Sequence, residues 1–194
     1  MILTFRILSW WRVGTGRGDA GALDSRCARD RDGLPVIPGR HVKGLLRHAV
    51  REAGGLDWLD KGTEALLFGS HPAPGVALND KTQPGRLRID DARLPEHDIK
   101  ALRGQTALIA GLFAARRATA MDADTGTARP RSLRFDEVAV PVTLVSEVTA
   151  IPGDTSDWAG WLTAALPLIR EVGGQRTRGL GRVIVTSDHG KVTA

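Results

Sequence analysis

The stretch Gly173-Gly-Gln-Arg-Thr-Arg-Gly-Leu-Gly-Arg182 lies between an apolar helical segment and the β-branched run Val183-Ile-Val-Thr186. Glycine reaches positive φ and lets another backbone approach closely, so a loop of this composition can gather bare N–H groups and guanidinium forks around phosphate oxygens. Gly173 and Gly174 could also merely end a helix, and Gly179 and Gly181 merely shape a turn. Caps alone do not call for Arg176, Arg178 and Arg182 interleaved with them.

The chain upstream has a matching order. Residues 2–10 are rich in β-formers and run into Gly14-Thr-Gly16-Arg-Gly18. From Gly39, the apolar residues Val42, Leu45, Leu46, Ala49 and Val50 recur at helical spacing until Gly54-Gly55. Pro35 and Pro38 fix the entry to this helix and leave Arg40, His41 and Lys43 in its first turn, where the helix dipole favours an anion. Residues 56–68 fit a second short helix, residues 86–94 alternate like a strand, and residues 107–117 have an apolar run without a clear period. Residues 119–134 hold Asp122, Asp124, Gly126, Arg129, Pro130, Arg131 and Arg134 with few apolar positions, as an exposed hairpin would. Residues 135–151 are β-rich, and a last helix is expected behind Ser156 as cap, bent or shortened by Pro167. The succession strand, helix, strands, helix, strand is that of a ferredoxin-like α+β layer.

Composition narrows the partners. The 194 residues carry 27 Lys+Arg against 22 Asp+Glu, a net charge of +5, and a pI near 10.1, which favours a polyanion. Almost all of that basic set is arginine, which suits phosphate and base stacking. The single Cys27 excludes an internal disulfide, no Cys/His cluster has zinc spacing, and a reducing cytoplasmic setting is expected. The longest apolar stretch, residues 107–115, is too short for a bilayer span, so no membrane partner is expected.

Taken together, Gly14-x-Gly16, Asp24, Arg29-Asp30-x-x-Gly33-Leu-Pro-x-Ile37-Pro-Gly39, Lys43-Gly-x-x-Arg47 and the terminal glycine-arginine loop resemble the RAMP superfamily. The closer likeness is to the repeated backbone subunit of type III CRISPR effector complexes, the Cas seven group. Arg86-Leu-Arg-Ile-Asp-Asp resembles that family's middle strand, and Asp124-Thr-Gly126-Thr-Ala-Arg129 its thumb. The resemblance implies one RAMP domain over residues 1–194, an RNA-recognition-like sheet, and a thumb insertion at about residues 115–135. It further implies an endoribonuclease that holds guide CRISPR RNA beside other copies of itself and other subunits. Target RNA would be cut at regular intervals, with Mg²⁺ or another divalent cation and ligands unknown. Asp24 sits where the family carries its catalytic aspartate. By the same carry-over, Lys43, Arg47, Gly173, Gly174, Arg176, Arg178, Gly179 and Arg182 would hold guide backbone, with Arg129 and Arg131 in the thumb. Phosphate contacts of this kind position RNA without reading sequence.

Other readings stay open. Asp24 could be a turn residue in a structural RNA-binding subunit that does not cut, and Asp19, Asp30 and Asp32 are carboxylates nearby. The family's Ser-Ser-Leu-Lys element reads Arg40-His41-Val42-Lys43 here, which raises a metal-independent guide-processing endonuclease with His41 as general base. Trp10 and Trp11 could stack bases, or fill the core. A dinucleotide site at Gly14-x-Gly16 fails because residue 19 is aspartate.

Overall fold

The computed structural model describes residues 1–16, 18, 23–70 and 82–189. Four antiparallel strands form the main sheet in the order β2-β5-β1-β6, comprising β1 (Ile2–Ile7), β2 (Leu87–Ile89), β5 (Thr143–Ala150) and β6 (Val183–Ser187). Helix α1 (Gly39–Gly55) crosses from β1 to β2, and α5 (Trp158–Ala165) from β5 to β6. Both helices cover one face, which is the ferredoxin-like α+β arrangement expected from the element order.

Alternation explains that arrangement. Leu3, Phe5 and Ile7 of β1, Leu144 and Val148 of β5, and Val183 and Val185 of β6 all point inward and are buried. Val42, Leu46, Ala49, Val50 and Ala53 make the matching stripe of α1, and Leu162 and Ala165 that of α5. The N-cap residue of α1, Pro38, has no side chain able to cap it. The Gly39 N–H is taken instead by Asp91 Oδ1 at 2.8 Å, and a Cβ on Gly39 would stand 2.5 Å from the Ile89 carbonyl oxygen. The residue's smallness lets the helix start directly against β2.

Between β2 and β5 the chain inserts α3 (Glu96–Leu102), α4 (Thr106–Gly111) and a two-stranded ribbon, β3 (Phe113–Ala118) paired with β4 (Arg134–Ala139). Residues 107–117 lack one period because a short helix becomes a strand within them. The β-rich run of residues 135–151 is likewise two strands of different sheets, parted at Pro141, whose missing N–H cannot serve a ladder. Residues 119–133 form the exposed tip of the ribbon. There Asp122 Oδ1 accepts the N–H groups of Asp124 and Thr125, both at 3.1 Å.

Three boundaries differ from expectation. β1 stops at Ile7, because the chain then turns to pair with residues 139 and 181–182. The second helix is confined to α2 (Thr63–Phe68). The cap of α5 is Asp157, which accepts the Gly160 N–H at 3.1 Å, while Ser156 donates its own N–H to Asp154 at 2.9 Å. Pro167 does shorten α5, which ends in a 3-10 turn, Leu166–Leu168.

Arg47 and Arg51 of α1 clasp Glu64 of α2 at 2.5 and 2.8 Å, pulling its carboxyl from 4.5 down to about 2, with the Arg51 hydrogen bond the largest cause. A carboxyl depressed on folding stabilises fully above its ordinary pKa, and that contribution fades as pH falls from about 4.5 towards 2. Glu64→Gln is therefore expected to cost about 1 kcal/mol at neutral pH, since the partly exposed pair is screened, and nothing near pH 2. Urea titrations at the two pH values check this.

Candidate RNA interface and catalytic carboxylate

Strand β4 contains two consecutive buried acids, Asp136 and Glu137, and they organise the site. Buried carboxylates need cationic partners. Asp136 receives Arg12 Nη1 at 2.8 Å and Gln175 Nε2 at 2.7 Å. Glu137 receives Arg29 at 2.7 Å and the Cys27 N–H at 2.9 Å. Arg12 also donates to Ser25 Oγ, and the Arg29 guanidinium lies 3.7 Å over the Phe113 ring. Successive side chains of a strand point to opposite faces, so one face of the ribbon takes the N-terminal loop and the other takes the start of the arginine loop. The Cys27 thiol donates to the Glu137 carbonyl at 3.1 Å, and burial, reinforced by Glu137, pushes its pKa up to about 12, which leaves it protonated and inert.

Asp24 lies on the free edge of the same strand. Its N–H donates to the Phe135 carbonyl at 2.9 Å, and its Oδ2 accepts the Phe135 N–H at 2.7 Å. Ser25 and Asp136 form a parallel bridge one residue further on. Asp24 and Gln175 are thus bound to adjacent residues of β4. The side chain of Asp24 is exposed, and Oδ1 has no hydrogen-bond partner among the described residues. Asp30 braces its own turn, accepting the N–H groups of Asp32 and Leu34 at 2.9 and 3.0 Å. Asp19 lies outside the described residues.

In the arginine loop, Gly173 and Gly181 serve chain crossing. Both have positive φ, and an added Cβ would stand 1.9 Å from the Arg12 carbonyl oxygen or 2.0 Å from that of Val172. Gly174 donates its N–H to Arg12 O at 2.9 Å and faces open space, as does Gly179 at φ +78°. Gln175 takes the left-handed region at φ 58° and leads into a 3-10 turn, Arg176–Arg178, whose two arginines are exposed. Arg176 faces α1 beside Leu45 and His48, Arg178 faces β3, and exposed Arg182 follows at the bridge to Glu171.

The remaining candidates are dispersed. Lys43 is half-buried in the first turns of α1 and makes no hydrogen bond or ion pair among the described residues. Arg47 is held by Glu64 and by the Gly69 carbonyl at 2.9 Å, so its guanidinium serves the helix pair. Arg129 pairs loosely with Asp122 at 3.6 Å, and Arg131 stands exposed at the tip with φ 59°. The Nε2 of His41 is enclosed without a partner among the described residues, and burial, then Arg176 and Arg40, hold its pKa below the ordinary value. An enclosed neutral nitrogen is poorly placed to take a proton from a bound strand. Sequence reading missed Arg12, Asp136 and Glu137, and gave no role to Arg29 and Gln175, which it quoted only as parts of motifs. Two acids inside a β-rich run were the available signal, since a buried strand does not keep charges without partners.

The family model described as the RAMP superfamily matches residues 4–184. This chain belongs to the RAMP superfamily. The fold of this RAMP protein is shared by a chain of Type III-B Cmr-beta bound to cognate target RNA, with TM-score 0.70, 12% identity and 95% of each chain covered. It is also shared by a chain of Type III-B Cmr-beta in the apo state, with TM-score 0.66, 11% identity and 98% of each chain covered. A search of curated proteins gives no match. Among the described residues of the RAMP chain, no helix is long and apolar enough to cross a membrane. No group of three His, Cys, Asp or Glu among those residues is placed to hold a metal ion.

Proposed function

We propose that this RAMP protein is an RNA-binding subunit of a type III effector assembly, holding guide RNA and cutting complementary target RNA at Asp24. Other copies of itself and further subunits are its proposed partners. The observation that carries the reading is that β4 binds Asp24 through Phe135 and the root of the arginine loop through Asp136. A strand held by Arg176, Arg178 and Arg182 and by Lys43 is thereby set in fixed relation to one exposed carboxylate. Gly174 and Gly179, open on their side-chain side, admit backbone closely. Arg129 and Arg131 are proposed as tip contacts, while Arg47 supports them only through α1.

Cleavage beside a displaced nucleotide uses its ribose 2′-OH as nucleophile once attacking and leaving oxygens are in line. The 2′-oxygen bonds to phosphorus as the P–O5′ bond breaks, giving a 2′,3′-cyclic phosphate and a 5′-hydroxyl that takes its proton from water. Asp24 Oδ1 would take the 2′-hydroxyl proton while Oδ2 stays on the Phe135 N–H. Mg²⁺ or another divalent cation enters only through the family likeness. The described residues do not assemble a ligand set for it.

The bond to Phe135 also favours a second reading, in which Asp24 only fastens the ribbon and the subunit is a scaffold. Asparagine separates the two, because its carbonyl oxygen keeps that hydrogen bond and its amide accepts no proton. Cleavage of a labelled complementary RNA by the guide-loaded assembly in Mg²⁺ is to be compared for wild type, Asp24→Asn and Asp24→Ala at matched RNA occupancy. Both variants are expected to lose at least about 100-fold in rate with RNA retention unchanged. Wild-type cutting by Asp24→Asn, or bound target that no form cuts, would leave the scaffold.

A further inference from the structure

Two adjacent tryptophans have opposite fates. Trp11 is 1% exposed, with its indole N–H donated to the Val140 carbonyl at 2.9 Å, whereas Trp10 is 43% exposed. The Trp10 peptide is nevertheless fixed. Its carbonyl accepts the Gly181 N–H at 2.8 Å, and its neighbours are tied by Leu8 N–H to Arg182 O at 2.7 Å and by Trp11 N–H to Ala139 O at 3.1 Å. The indole therefore stands on backbone clamped between the arginine loop and β4. It lines a cleft of about 780 Å³, in which β3 supplies Arg116 and the loop supplies Arg178, while Arg117 points to the other face of the ribbon and lies over the Phe135 ring. Buried Val138 and Leu180 contribute apolar lining, and no carboxylate among the described residues lines the cleft.

A phosphate alone would need no indole, and an apolar ligand would need no guanidinium groups. A flat base joined to a phosphate needs both, and the open cleft has room for one such unit. We propose that this cleft takes one unstacked nucleotide of an RNA strand, its base on the Trp10 indole and its phosphate between Arg116 and Arg178. The inference rests on the RNA-binding reading above and adds to it a stacking platform. Stacking on an indole tolerates every base, so the site would hold a nucleotide without choosing a sequence.

The test uses the full-length chain and a short single-stranded RNA carrying one 2-aminopurine, whose fluorescence falls when it stacks on an indole. Wild type is expected to quench the probe. Trp10→Ala should abolish the quench and weaken binding roughly 5- to 150-fold, while Trp10→Phe restores most of the affinity and certifies the fold. Arg178→Ala should weaken binding, reduce the salt slope by about one, and leave the quench in the bound fraction. Equal quenching by wild type and Trp10→Ala while RNA is retained overturns this inference and leaves the RNA-binding reading standing. Failure of wild type to retain RNA overturns both. Equal quenching of free 2-aminopurine ribonucleoside monophosphate and of the strand assigns the cleft to a soluble nucleotide, and displacement of RNA by an acidic peptide that does not stack assigns it to protein. Either result overturns the inference.

Discussion

Asp136→Ala is expected to lower unfolding stability by about 3–5 kcal/mol, because it strands the Arg12 guanidinium, and with it the Gln175 amide, in a site that is nearly closed to water. The side chains of Arg12 and Asp136 are 12% and 10% exposed, so solvent cannot replace the lost partner. An apolar pair of similar size would be far less harmful than either single deletion, and Arg12→Met with Asp136→Leu is expected to recover much of the loss. The pair has a second consequence that the compensated variant isolates. Without Asp136, nothing at that position ties Gln175 to β4, and the arginine loop loses its anchor to the ribbon. The double variant should therefore be stable yet retain RNA less well than wild type. Denaturant midpoints with an unchanged m-value, read beside RNA retention, check both halves. Wild-type stability in Asp136→Ala would show that the buried pair is not holding the loop to the ribbon.

The second large effect is expected at Gly173, where alanine should cost about 4 kcal/mol. Roughly 1–3 kcal/mol comes from holding a side chain in the left-handed region, and roughly 1–3 from forcing the backbone aside. The clash is with fixed backbone, since the added Cβ would stand 1.9 Å from the Arg12 carbonyl oxygen at φ +79°. Its neighbours provide the contrast. Gly174→Ala meets nothing within 4 Å and is expected to change stability by less than about 0.5 kcal/mol, so any loss of RNA retention there reports the ligand's approach. Gly179→Ala also meets nothing within 4 Å but keeps a positive φ of +78°, and should cost about 1 kcal/mol. Thermal or urea unfolding of the three variants gives the order. Equal losses at all three positions would deny the crossing of the Arg12 backbone its role.

Local pattern carried the core of the fold. The runs of β-formers in β1 and β6 and the apolar stripe of α1 between Gly39 and Gly55 are properties of short windows, so they were legible in the residues alone, whereas which side of β1 and β6 is buried was not. The exposed, poorly apolar tip of residues 119–133 was legible for the same reason. Residues 107–117 and 135–151 misled because two elements meet inside each window, and a periodicity averaged over two elements has no single value. Arg47 is a guide contact only by the family resemblance, and the residue that holds its guanidinium, Glu64, lies on another helix.

What the sequence by itself determined is the α+β order, the basic and arginine-dominated charge, and the loop of residues 173–182 as a place where backbone and guanidinium groups come together. Only the tertiary structure decided which glycines of that loop are crossings and which are open, and that Trp11 enters the core while Trp10 stands in a cleft. It alone decided that Asp24 and Gln175 meet neighbouring residues of one strand. The reason is physical: these relations join residues more than 100 positions apart for Asp24 and 39 apart for Gln175, and are fixed by strand pairing and by the need of buried charges for partners.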